Sequence, residues 1–106
     1  MFALSPIEAR VFVRHLAIER ARQTAGEEDN RLLDTVIGKA RSARAAVLTH
    51  PEVLCAVRHL RHQRAKVTDD LRALRARSLT EYCTLCALLT ERAIMDEVLR
   101  RLQDMA

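Results

Sequence analysis

From Glu52 to Ala106 the chain contains neither glycine nor proline. A stretch of that length has no residue suited to a sharp reversal, so it folds as long helices or as one rod. In its first half Val53, Val57, Leu60, Val67, Leu71 and Leu74 recur at spacings of four and three, with Arg64 filling the one missing step. That is a helical packing seam. As a single helix, residues 52–103 would extend about 78 Å at 1.5 Å per residue, too long to bury its seam within one small domain. Such a rod would need a second chain, which is one reason to expect self-association.

The 106 residues hold two glycines, two prolines and three aromatics, the makeup of helices rather than of sheets and turns. The expected fold is all-α: one domain over residues 1–106, a small helical bundle of three to four long antiparallel helices that associates with itself.

Boundaries follow from local chemistry. Ser5-Pro6-Ile7-Glu8 reads as a helix start, with a serine cap, a proline where no NH is needed and a glutamate three residues on. This first helix is expected to reach about Thr24, with Gly26 as its terminator. Glu27, Glu28 and Asp29 favour the positive end of a second helix carrying Leu33, Val36, Ala40, Ala43 and Val47. Thr49-His50-Pro51-Glu52 opens a third. Ser78-Leu79-Thr80-Glu81 repeats the capping pattern and predicts a turn near 78, with a fourth helix from there to about Gln103.

Eighteen basic residues against fourteen acidic ones give a formal charge of +4. Lys39 and Lys66 are the only lysines, and arginine suits both inter-helix ion pairs and polyanions. Arg58, Arg61, Arg72 and Arg75 flank the seam, with Arg41 and Arg44 as an extension, which makes nucleic acid the second candidate partner. A stacking surface would need more aromatics than Phe2, Phe12 and Tyr82. Arg64 lies in the seam itself, where a charge is tolerated if it pairs with an acid and fixes register or partner. On the fourth helix the apolar face shifts: Ile94, Met95, Val98, Leu99, Leu102 and Met105 centre more than about 90° from the earlier stripe, beyond the ~20° drift per heptad of a straight helix. Either one wide stripe lies in a compact bundle, or the last turns dock on a partner. The second reading makes Met95, Val98, Leu99, Leu102 and Met105 contact residues alongside Arg58, Arg61, Arg64, Arg72 and Arg75.

Cys55, His59 and His62 share one side of the third helix, and thiolate with imidazole is zinc-ligand chemistry. The helical wheel sets them opposite the seam and groups Cys83 and Cys86 with Leu79, Tyr82 and Leu89. The two sets are therefore not expected to meet, and the expectation is core cysteines, a solvated polar face and no metal. Cys83-Thr84-Leu85-Cys86 has dithiol spacing but lies inside an apolar stripe rather than at a helix start. Phosphate-loop, Gly-x-Ser-x-Gly, His-Glu-x-x-His and Glu-x-x-His patterns are all missing. Glu81, Glu91, His15 and His50 could be gathered by long helices, but no spacing selects them, so neither catalysis nor a cofactor is expected.

The amino terminus lacks a cationic leader, and no segment approaches the roughly 18 apolar residues of a membrane span. A soluble, cytoplasmic protein is expected. The functional expectation is a non-enzymatic interaction module, such as an adaptor, assembly factor, chaperone-like or regulatory subunit, that binds itself as a homodimer or binds another protein. A nucleic-acid-associated regulator is the alternative.

Overall fold

The computed structural model describes residues 2–22, 26–42, 45–77 and 82–105, with side chains except at 75–77 and 82–83. Its elements are β1 (Phe2–Ala3), α1 (Pro6–Ala21), α2 (Glu27–Ser42), β2 (Ala45–Ala46), α3 (His50–Arg77) and α4 (Tyr82–Met105). Four long helices make an all-α bundle. Among the described residues, no helix is long and apolar enough to cross a membrane.

The start of α1 is a full capping box. Ser5 Oγ accepts from Glu8 N at 3.3 Å and Glu8 Oε1 accepts from Ser5 N at 2.9 Å, which satisfies two otherwise orphaned donors. Glu8 Oε1 also accepts from Arg101 Nη1 at 2.9 Å, and the same nitrogen donates to the Ala3 carbonyl at 3.0 Å. The end of α4 is thereby tied to the amino terminus. At α3 the Thr49 hydroxyl accepts from Glu52 N at 3.4 Å and donates to Glu52 Oε1 at 3.0 Å. Glu52 is buried, and Lys39 Nζ reaches both its oxygens at 2.8 Å. Burial raises the Glu52 carboxyl, but Lys39 and Thr49 outweigh that and hold it below its ordinary value.

Gly26 has a different role from the one expected. Its carbonyl accepts from Asn30 N at 3.0 Å, so it opens α2 instead of closing α1, which ends at Ala21. The small antiparallel pairing of Phe2 with Ala46 and Ala3 with Ala45 was not expected either. It seats Phe2 edge-on against Phe12, with ring centroids 5.4 Å apart.

At about 1.5 Å per residue α3 is roughly 42 Å long, matching the 43 Å long axis of the molecule. It is the central element, packed against α1, α2 and α4, and α1 also packs against α4. Val53, Val57, Leu60, Val67 and Leu71 are buried there with Phe12, Leu16, Leu33 and Val36. The chain turns back between α3 and α4, so the continuous rod is not formed. The Ser78-Leu79-Thr80-Glu81 capping pattern lies outside the described residues.

Candidate functional site

Four helices meet around a continuous line of buried polar side chains. His15 and Glu19 are one turn apart on α1, and His59 and Gln63 are one turn apart on α3, so each pair points from the same face of its helix. All four are buried. Buried polar groups persist where they are hydrogen-bonded, and here each one is.

His59 Nδ1 lies 3.0 Å from Glu19 Oε1 and its Nε2 lies 2.5 Å from Asp29 Oδ2. Both neighbours are carboxyl groups, so each contact is a hydrogen bond when a proton lies on the ring nitrogen or on the facing carboxyl. Glu19 Oε2 accepts from Gln63 Nε2 at 2.5 Å, and His62 Nδ1 approaches both Glu19 oxygens at 2.9 Å. The outward-turned carbonyl of Gln63 then faces His15 Nδ1 at 2.9 Å, and His15 Nε2 faces Glu91 Oε1 of α4 at 2.7 Å. Arg58 on Asp29 and Arg14 on Glu91 close the two ends with ion pairs.

Electrostatics along the line are opposed. Burial raises the Glu19 carboxyl, yet hydrogen bonds from His59, Gln63 and His62 overcome it and hold the group below its ordinary value. His15 is pushed below its ordinary value by burial, with the Arg14 charge adding to the effect and the Gln63 hydrogen bond opposing it. Cys55, 1% exposed, sits beside this line with its Sγ 3.8 Å from the Asp29 carbonyl. Burial pushes its thiol up to about 11, so it is inert as a nucleophile in this state. One ligand atom each from Asp29, Cys55 and His59 lies within 4.8 Å of the others.

This corrects the solvated-face expectation for Cys55 and His59. The side of α3 opposite the seam is covered by α1 and α2, and Glu19 and Asp29 supply the partners that make burial of the polar groups tolerable. His62 alone of the three is half-exposed, at 49% of its side chain. Cys86 lies elsewhere, between α1 and α4, apart from Cys55 and His59; the Cys83 side chain is outside the described residues. His15 and Glu91 do meet, whereas His50 is exposed at the start of α3 and Glu81 is outside the described residues. Sequence reasoning missed Glu19 and Gln63. A signal was present only on α1, where His15-x-x-x-Glu19 interrupts the apolar face of Val11, Phe12 and Leu16 at one-turn spacing; on α3, His59 and Gln63 share a face with Glu52 and Lys66.

The expected contact residues divide. Met95, Val98, Leu99 and Leu102 are buried in the chain's own core, and Met105 packs against it. This is the wide-stripe arrangement of a compact bundle, because α4 folds back along α3 and spends that face within one chain. Arg64 pairs with Asp96 of α4, so the charge in the seam is answered by an acid and its head lies at the edge of the helix pair. Arg58 is held by Asp29. Arg61 and Arg72 are exposed, and the Arg75 side chain lies outside the described residues. Arg61, Arg64 and Arg100 line a shallow cleft of about 400 Å³ with Asp96, but Arg64 is engaged by Asp96, and Arg100 by Glu97 and Asp104.

A second surface feature is a groove of about 470 Å³ between α1 and the first half of α4. Val11, Ala87 and Ile94 line it, Ile7 stands at its edge with 54% exposure, and Arg10, Arg14 and Glu91 rim it, with Arg14 paired to Glu91. No family model, no curated protein and no solved structure matches the chain.

Proposed function

We propose that this chain is a non-enzymatic protein-interaction module that receives an acidic amphipathic helix of another protein in the groove between α1 and α4. One observation carries the reading: an apolar-lined groove is rimmed by Arg10, which has no acidic partner among the described residues, next to the exposed Ile7. An apolar stripe for the floor and carboxylates for the rim is the complement a docking helix would offer, with anchors at three- and four-residue spacing. Homodimerisation has less apolar surface to draw on, since the seam and the end of α4 are occupied within one chain. Adaptor, assembly and regulatory roles all use contact of this kind.

The test is selection of amphipathic helical peptides from a display library on the immobilised chain. Acidic peptides that lose binding to Ile7→Asp and to Arg10→Glu are expected. Enrichment of basic peptides, or of peptides indifferent to both substitutions, would overturn the reading. The nucleic-acid alternative rests on the arginine flank of α3, where Arg61 and Arg72 are exposed. It requires binding that falls steeply with salt, whereas docking in the groove, apolar at its floor with Arg10 at its rim, should weaken only modestly as salt rises.

A further inference from the structure

The polar line through the bundle contains one place where the side chains do more than satisfy one another. Asp29 from the first turn of α2 and Cys55 and His59 from one face of α3 converge so that one carboxylate oxygen, one sulfur and one ring nitrogen lie within 4.8 Å. His59 is the pivot. Its Nε2 points at Asp29 and its Nδ1 points at Glu19, at 3.0 Å. An imidazole that ligates a metal almost always donates its other N–H to a carboxylate, which fixes the tautomer and the ring plane. Glu19 is in place for that task, itself oriented by Gln63 and His62.

We propose that Asp29, Cys55 and His59 form a three-ligand site for a thiolate-accepting divalent ion such as zinc, with water in the fourth position and Glu19 orienting the ring. The donor set decides the class of ion: thiolate, imidazole and carboxylate together suit zinc or cobalt, whereas calcium and magnesium take oxygen shells. Metal–ligand bonds of about 2.0–2.3 Å in a tetrahedron place the ligand atoms roughly 3.3–3.8 Å apart. The 2.5 Å contact between His59 and Asp29 therefore opens when the ion takes the place of the proton between them, and Cys55 draws in. Asp29 can yield because its helix begins only at Glu27 and its side chain reaches the surface. Binding displaces the Cys55 thiol proton together with any proton on His59 Nε2, so affinity rises with pH. The doubly positive ion is balanced by the thiolate and the Asp29 carboxylate. Arg58, paired with Asp29 and 61% exposed, opposes it.

Cobalt(II) titration of the full chain, reduced and free of chelator, tests the site through the thiolate-to-metal charge-transfer band in the near ultraviolet. One equivalent is expected to develop the band and zinc to displace it. Cys86→Ser should retain the band and Cys55→Ser should lose it. Cys55 is buried, so circular dichroism of Cys55→Ser must accompany that result, and Asp29→Asn, near the surface, gives a second route through weakened binding. Glu19→Gln should weaken cobalt binding about 10- to 100-fold while keeping the band. Arg58→Ala should tighten binding, an effect that damage to the fold would not produce. No thiolate band at saturating cobalt, a band that survives Cys55→Ser, or an Arg58→Ala variant that binds more weakly would overturn the proposal.

Discussion

Glu19→Gln is the sharpest probe of the bundle interior, because it changes one charge at nearly constant shape. In the native chain the Glu19 carboxylate accepts from His59 and Gln63, both buried, and from the half-exposed His62. Hydrogen bonds to a charged acceptor contribute about 1.5–3 kcal/mol and neutral ones about 0.5–1.5, so losing the charge costs roughly 1 kcal/mol at each buried donor. The new amide NH2 also has to face a donor, His59 or Gln63, and leaves one unsatisfied at about 1–3 kcal/mol. The expected loss is roughly 2–4 kcal/mol at neutral pH, read by urea unfolding as a midpoint lowered by about 2 M at an m of about 1.5 kcal/mol/M. The pH dependence adds a second reading. The Glu19 carboxyl is held below its ordinary 4.5 in the folded chain, so its contribution is whole above that value and is lost as pH falls through the folded value. The difference between native and variant should therefore shrink on acidification. A loss under about 0.5 kcal/mol at neutral pH, or a difference that widens in acid, would refute the reasoning.

Three further outcomes are expected. His15 is held below its ordinary 6.5 mainly by burial, so stability should fall as pH drops from 6.5 towards the folded value. His15→Gln should flatten that part of the curve, and an unchanged slope would mean that the ring stays charged between the Gln63 carbonyl and Glu91. Gly38 lies in α2 with nothing within 4 Å of where a Cβ would stand, so Gly38→Ala should stabilise the chain by about 0.5–1 kcal/mol, visible as a higher Tm; a lower Tm would mean that the site is more crowded than described. Arg64→Leu removes an ion pair that is 41% exposed on the arginine side, worth about 0–1 kcal/mol, and adds apolar surface beside the seam. A modest rise in Tm is expected, and a clear drop with unchanged mass would contradict it.

Much of the backbone course was legible because it rests on local rules. Ser5, Pro6 and Glu8 announce α1, and Thr49, Pro51 and Glu52 announce α3, through hydrogen bonds that span three residues. The seam from Val53 to Leu71 was legible as an apolar period, but its occupant was not: whether α4 of the same chain or a second chain covers it depends on a reversal near residue 78 that no glycine marks. The buried polar line was the least legible. Its partners are 30 to 76 residues apart in sequence, as for His59 with Asp29 and His15 with Glu91. A helical wheel for α3 alone makes Cys55 and His59 look solvated, because it cannot show that α1 and α2 bring Glu19 and Asp29 to them.

The central claim is that one chain closes its own seam and leaves the groove between α1 and α4 for another protein. Light scattering on the purified chain, in reducing buffer at low and at high salt, tests it most directly. The expected result is a monomer of 12.1 kDa at both salts. A stable dimer at both salts would contradict it, since the seam from Val53 to Leu71 and the residues Val98 and Leu102 would then be paired between chains.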